Sequence, residues 1–396
     1  MKVLILSQAI SEGYVAILKA ALPEECKIDI ITGSKLKHYS YIEAPAHNPN
    51  SLKSRLRSWY QYYRFVTRWA KANTDKRYDF IFATSNPPIN SYLGVQLKKK
   101  LRSRFIYMNW DLYPQVIENI MSGFIPATLS RVWHFMNGRI YPKIDQMLTI
   151  GEVMGETINE RFDKKLPVQI VPMFTDIQRL KPLEKKENQF CIDNGLSDKF
   201  IVLYSGKMGL GHNLEVLLES SRKLRKYEDI LFLFIGHGQK YEMVETWIKE
   251  ENPPNVKLLP LQPPDVFPLS MASGDIGFIS QEKSAAKCFM PCKTYDMMAC
   301  GMAILAYSEG RDDLSRLIGK YEMGIVITKN DPDIFAREIE RLYLNRDLVK
   351  RYGNNARSAC EQEFDKECLV KKYRNIFNGL DGNCVNQRFI GLINIG

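Results

Sequence analysis

The stretch Tyr204-Ser205-Gly206-Lys207-Met208-Gly209-Leu210-Gly211-His212 follows an apolar run at 200–204 and precedes an amphipathic segment at 213–227. Strand, glycine-rich turn and helix in that order form the repeating joint of a parallel α/β sheet. Glycine lets the backbone approach a ligand closely. The helix that follows offers free N–H groups and a positive dipole end to a phosphate. A tight turn with no ligand uses the same residues, so this stretch alone leaves both readings open. It contains no G-x-x-x-x-G-K-[ST], which argues against a Walker-type NTPase. Only Gly13 follows the first strand, which argues against a dinucleotide site of the G-x-G-x-x-G kind.

Working outward, the same alternation continues on both sides. Short apolar runs at 3–6, 28–31, 80–83, 105–108 and 146–150 read as buried strands between helical stretches. Further strands are expected at 230–235, 276–279, 303–306 and 325–327, with helices up to about Phe377. The pattern breaks at Val171-Pro172 and again at the proline- and charge-rich run 181–188, the mark of a linker or domain edge. The expectation is α/β, with two Rossmann-like doubly wound domains at 1–172 and 173–378. A last helix at about 364–378 would pack back on the first domain, leaving a tail at 379–396. Such sheets bind ligands at the carboxyl ends of their strands, and two of them facing each other make a deep cleft.

A second informative stretch is Phe289-Met290-Pro291-Cys292-Lys293-Thr294-Tyr295-Asp296-Met297-Met298-Ala299-Cys300-Gly301. Proline opens a helix well, and Lys293 in the first turn opposes the helix dipole unless an anion sits nearby. Asp296, one turn on, is placed to accept hydrogen bonds from vicinal hydroxyls, as acidic residues do for ribose. Gly301 ends the helix and feeds the next strand. The alternative is a core helix with a surface lysine.

In order and spacing, these residues resemble the donor-binding half of the family 4 retaining glycosyltransferases of GT-B fold. The resemblance runs through Gly206-x-x-Gly209, Pro291-x-Lys293-x-Tyr295-Asp296 and Ala299-x-Gly301. It continues in Asn255-Val256, in Ala272-x-x-Asp275, in Gly324-Ile325-Val326-Ile327 and in 351–357. In the first half, 78–88 and Trp110-Asp111-Leu112-Tyr113-Pro114 look like the branch that builds bacterial surface polysaccharides. The match spans about residues 1 to 378. It implies a nucleotide-sugar donor held by Gly206, Lys207, Gly209, His212, Lys293, Thr294 and Asp296, with Lys293 and Asp111 as candidates for catalytic roles. Most of the family has two glutamates separated by seven residues. Here the second position is Asp296 and the first falls on Cys288, while Lys207 stands where relatives often have Asn.

Departure of a nucleoside diphosphate builds negative charge, and a cation or backbone amides at that oxygen stabilise it. Lys293 and the turn at 206–209 are the candidates, so neither a cofactor nor a divalent metal is expected. Asp331-Pro332-Asp333 superficially matches a D-x-D metal motif but precedes a late helix. Asp111 follows a strand and carries two readings: a polar anchor or proton acceptor near the acceptor sugar, or a turn aspartate.

Composition narrows the setting. Hydrophobic residues at 45% and charged residues at 25% are ordinary for a folded chain. No secretory signal and no run approaching ~18 uninterrupted apolar residues is seen, so a cytoplasmic protein with at most peripheral membrane contact is expected. The eight cysteines lack paired zinc spacings and read as reduced thiols. The whole net charge of +10 lies in residues 1–172. Lys53, Arg57, Arg64, Arg68 and Lys71 share one helical face, with Leu52, Leu56, Trp59, Tyr63 and Val66 on another. Lys98, Lys99 and Lys100 end a second helix. Basic, aromatic amphipathic helices suit an anionic membrane surface, and a solvated basic face over a core stripe is the plainer account. No nucleic-acid recognition module is visible.

The expected activity is transfer of a sugar, UDP-linked, to a lipid-linked or glycan acceptor at the inner face of the cell membrane. A nucleotide-sugar epimerase of the same fold and a membrane-bound scaffold with a degenerate donor site are the alternatives.

Overall fold

In the computed structural model, described for residues 1–120, 124–209, 211–281, 287–308 and 310–381, two parallel sheets carry the chain. The tail from 382 onward lies outside the described residues. The first sheet contains β1 (Lys2–Leu6), β2 (Lys27–Thr32), β3 (Ile42–Glu43), β4 (Phe80–Thr84), β5 (Arg104–Asn109), β6 (Gln146–Thr149) and β7 (Val168–Ile170), in the order β3-β2-β1-β4-β5-β6-β7. The second contains β8 (Phe200–Lys207), β9 (Ile230–His237), β10 (Val256–Pro260), β11 (Ile276–Ser280), β12 (Ala303–Tyr307) and β13 (Gly324–Ile327), in the order β10-β9-β8-β11-β12-β13. Every pairing in the second sheet is parallel. Strands such as Phe-Ile-Phe-Ala-Thr in β4 are buried along their whole length, as helices on both faces of a parallel sheet require.

By contacts the chain divides into two compact units. One holds residues 1–108, 140–147 and the segment from Glu367; the other holds 109–139 and 148–366. In the first, the helix Lys366–Asp381 brings Tyr373 and Phe377 onto the strand layer. The Tyr14 and Tyr373 hydroxyls are hydrogen-bonded, and the rings of Phe80 and Phe377 meet edge to face at 5.4 Å. The core of the second unit gathers Phe200, Val202, Tyr204, Phe232, Phe234, Phe278, Leu305 and Phe335.

The sheet orders place the sites. In the second sheet, β8 leads to β9 and β10 on one side, while β11 leads to β12 and β13 on the other. The switch point is therefore the gap past the carboxyl ends of β8 and β11, where open α/β sheets hold ligands.

One reading of the sequence needs correction here. On the helix Leu52–Ala72 the buried face is Ser58, Trp59, Tyr62, Val66 and Ala70. Leu52 and Leu56 are exposed instead of joining that face, because both lie in the opening turns, ahead of the part of the helix that meets the core. The helix after β8 also starts at Glu215 and ends at Lys223. Asn213 lies just ahead of it, its side-chain oxygen accepting from the Val216 N–H.

Candidate donor site at the end of the second sheet

At the carboxyl end of β8 the backbone of Gly206 takes φ +127°, a region closed to most side chains. A Cβ there would approach Lys293 Nζ to 3.6 Å, filling the space in front of the ammonium. Gly236, at the end of β9 with φ +157°, backs onto it: a Cβ on Gly236 would stand 1.9 Å from the Gly206 carbonyl oxygen. The sequence reading missed Gly236-His237-Gly238. The visible signal was an apolar strand running straight into two glycines one residue apart.

Lys293 opens the short helix Lys293–Ala299. Its Nζ is buried, 3.8 Å from the centroid of the Tyr204 ring, and has no hydrogen-bond partner among the described residues. Burial pushes its pKa down to about 8. A desolvated ammonium that faces a ring, with no carboxylate bonded to it among the described residues, is costly. The neighbouring Thr294 hydroxyl oxygen is likewise buried and unpartnered among the described residues.

Asp296 lies one turn further on, on the same side of the helix. Burial raises its pKa to about 6, opposed by the Thr175 hydroxyl and by the Arg179 charge. That hydroxyl donates to Asp296 Oδ1 at 2.9 Å. Thr175 was invisible in the sequence, since it reaches this helix from a distant segment.

His212 sits against the Tyr204 ring, 6.0 Å between centroids, and its Nδ1 is 3.1 Å from the Ser280 carbonyl oxygen. Burial, then the nearby Lys293 charge, drive its pKa to about 4, so the ring is neutral at pH 7. With Nδ1–H donated to that carbonyl, Nε2 is left as an acceptor. Lys207 is the exposed last residue of β8, and its carbonyl accepts from the Tyr204 hydroxyl at 2.7 Å. Gly209 follows, its modest crowding limited to the His212 ring.

Asp111 is half-buried in the bend after β5. The next residue ties this bend to the donor-site segment, the Leu112 N–H donating to the Cys288 carbonyl at 2.9 Å. Cys288 is buried. A cavity of about 650 Å³ lined by Lys185, Phe200, Asp275, Gly301 and Arg346 opens at the amino ends of β8 and β11, the wrong end of the sheet for such a ligand.

Asp331 caps the helix Pro332–Leu344 by accepting from the Asp333 N–H, and Asp333 pairs with Lys223 at 2.6 Å. Among the described residues, no three His, Cys, Asp or Glu side chains group to hold a metal.

On the helix Leu52–Ala72, Lys53, Arg57, Arg64, Arg68 and Lys71 are all exposed. Lys99 and Lys100 are exposed on the helix Asn90–Leu101. Lys98 departs from the expected basic patch. Its ammonium is 2.7 Å from Asp145 and donates to the Lys143 carbonyl, so its charge is spent inside the fold.

Residues 186–359 match the sequence family "Glycosyl transferases group 1". WcaI of Escherichia coli (strain K12), named for colanic acid biosynthesis, is 23% identical over 60% of this chain and 58% of its own length. The chain thus spans little more than half of that relative. WbjE of Pseudomonas aeruginosa, named as a glycosyltransferase, is 22% identical over 83% of this chain and 81% of its own. Among solved structures, Anabaena HepE in complex with UDP superposes with a TM-score of 0.72 at 15% identity, covering 96% of this chain and all of that one. WaaG, a glycosyltransferase of lipopolysaccharide biosynthesis, gives 0.68 at 13% identity, with 96% and 100% covered. With two parallel doubly wound sheets of this order the chain has the GT-B fold, and residues 186–359, which contain β8, Lys293 and Asp296, match the group 1 glycosyltransferase domain.

Proposed function

We propose that this protein is a retaining, metal-independent glycosyltransferase. It takes a sugar from a nucleotide-sugar donor, UDP-linked, and passes it to a lipid-linked or glycan acceptor at an anionic membrane surface. The observation that carries the reading is Lys293: a buried ammonium with no partner among the described residues, at the carboxyl end of β8 beside a glycine that leaves space in front of it. HepE has been crystallised with UDP and with UDP-glucose, which supports a nucleoside diphosphate as the anion.

The chemistry follows from charge. The bond between the sugar's anomeric carbon and the diphosphate breaks, and the electron pair leaves with the diphosphate. Lys293 and the 206–209 turn, in which the Met208 N–H is already donated to the His237 carbonyl, face that growing charge, and because they are held in place before reaction they stabilise it without reorganising. Asp296, as carboxylate, accepts from the ribose hydroxyls while Thr175 fixes its orientation. Retention places the acceptor hydroxyl on the face the diphosphate leaves, and Asp111 is the candidate anchor or proton acceptor for it. The exposed cations of the helix Leu52–Ala72, which carries no acidic residue, provide attraction to anionic lipid. Among the described residues no helix is long and apolar enough to cross a membrane.

Incubation with a panel of nucleotide sugars tests the reading. Release of the nucleoside diphosphate with glycosylation of a lipid-linked acceptor is expected. Epimerised donor, or no turnover with any nucleotide sugar, contradicts it.

A further inference from the structure

The helix Arg346–Ala359 lies hard against the end of the short helix that carries Lys293 and Asp296. A Cβ on Gly353 would stand 2.0 Å from the Gly301 carbonyl oxygen, so the two backbones touch. One turn further on, the half-buried Arg357 brings its guanidinium to four acceptors. Nη1 donates to the Ala299 carbonyl at 2.7 Å and to the Leu180 carbonyl at 2.9 Å. Nη2 donates to the Ile177 carbonyl at 3.3 Å, and Nε to Glu361 Oε1 at 2.6 Å. Ala299 is in the last turn of the Lys293 helix, whose carbonyls have no partner within that helix. Ile177 and Leu180 follow Thr175 in the segment that reaches Asp296. Beyond Arg357 the chain widens into a π turn, Cys360–Phe364, and the Phe364 carbonyl accepts from the Thr175 N–H at 3.1 Å. The rings of Tyr295 and Phe364 meet edge to face at 5.1 Å.

We infer that Arg357 is a positioning residue of the donor site: it holds the 175–180 segment in register with the Lys293–Ala299 helix, so that the Thr175 hydroxyl meets Asp296. An ion pair with Glu361 one turn away would need only one edge of the guanidinium. The remaining N–H groups go to carbonyls of two segments far apart in sequence, a match for the fixed fork of arginine that a point charge does not reproduce. The charge that acts on Asp296 is that of Arg179, so Arg357 works through placement. The thiols of Cys292, Cys300 and Cys360 also lie near that carboxylate, and burial pushes all three up, so they stay neutral where Asp296 titrates. The inference rests on the donor reading above and adds to it a group acting through Thr175 and Asp296.

The test is calorimetric titration of UDP into the full-length wild type, Arg357→Gln, Asp296→Asn and the double variant, across the pH range in which Asp296 titrates. Arg357→Gln should weaken UDP binding about tenfold, the size of one charge-assisted hydrogen bond. It should also move the inflection of affinity to higher pH, as Thr175→Val should. In the Asp296→Asn background the same change should have no further effect, because a residue acting through that carboxylate is silent once it is gone. A lowered thermal midpoint with affinity and inflection unchanged marks a merely structural arginine and overturns the inference, as does an equal loss of affinity in the two backgrounds. Should Arg357→Gln not fold, Arg357→Lys, which keeps the stem and the charge but not the fork, is read in the same way. A wild type that binds no UDP overturns the donor reading itself.

Discussion

Lys293 holds its ammonium over the face of Tyr204, 3.8 Å from the ring centroid, and among the described residues this is the contact that compensates its burial. A ring face returns only part of the solvation that a buried cation loses, so the buried ammonium carries an electrostatic penalty that an anion relieves. The linkage has a definite sign. A pKa of about 8 against the usual 10.5 means the folded chain binds fewer protons than the unfolded chain between those values, so stability rises with pH there. Relative to Lys293→Met, the wild type should therefore gain stability from about pH 8 upward. Urea melts across that range check it, and parallel pH profiles would contradict the burial argument.

Asp296 has the opposite sense. Its pKa is raised to about 6 by burial, and only the carboxylate can accept from two ribose hydroxyls. UDP affinity should rise with pH through about 6 in the wild type, and Asp296→Asn should remove that component. Thr175→Val, which deletes a hydrogen bond to the charged form, should move the inflection to higher pH. The titration of UDP itself is common to all three proteins and cancels in the comparison. Superimposable profiles for wild type and Asp296→Asn would separate this residue from the ribose.

Gly236→Ala forces a Cβ to 1.9 Å from the Gly206 carbonyl at a φ that alanine rarely adopts. A loss of about 2 kcal/mol or more is expected, with UDP binding lost as the end of β8 shifts. Gly209→Ala meets nothing closer than 3.7 Å and should melt near the wild type. Denaturant melts of the two variants settle the contrast, and equal melts would contradict it.

Turnover should survive excess EDTA, because Lys293 and backbone amides, not a metal, are assigned to the leaving diphosphate. Activity lost to chelation and restored by magnesium or manganese would contradict this and return Asp331 and Asp333 to consideration.

The strands were legible in the sequence because they are long, apolar and flanked by turns: the run read at 80–83 is Phe80–Thr84. Two edge strands were not. Ile42–Glu43 has only two residues, and Val168–Ile170 is largely exposed, so neither shows an apolar run. The helix start around Lys293 was readable because proline and a misplaced charge are local signals. Thr175 was not, since it touches Asp296 across 121 positions and nothing near it in sequence marks that role. Leu52 and Leu56 misled for a related reason: helical spacing gives the side of a helix but not where along its length the core begins.

The most direct measurement of the central claim is calorimetric titration of UDP into the wild type and into Lys293→Met at pH 7. The wild type is expected to bind UDP, and the methionine variant, folded and at least as stable, to bind it about tenfold or more weakly, a charge-assisted contact being worth about 1.5–3 kcal/mol. Equal affinities in the two proteins, or a wild type that binds no nucleoside diphosphate, would contradict it.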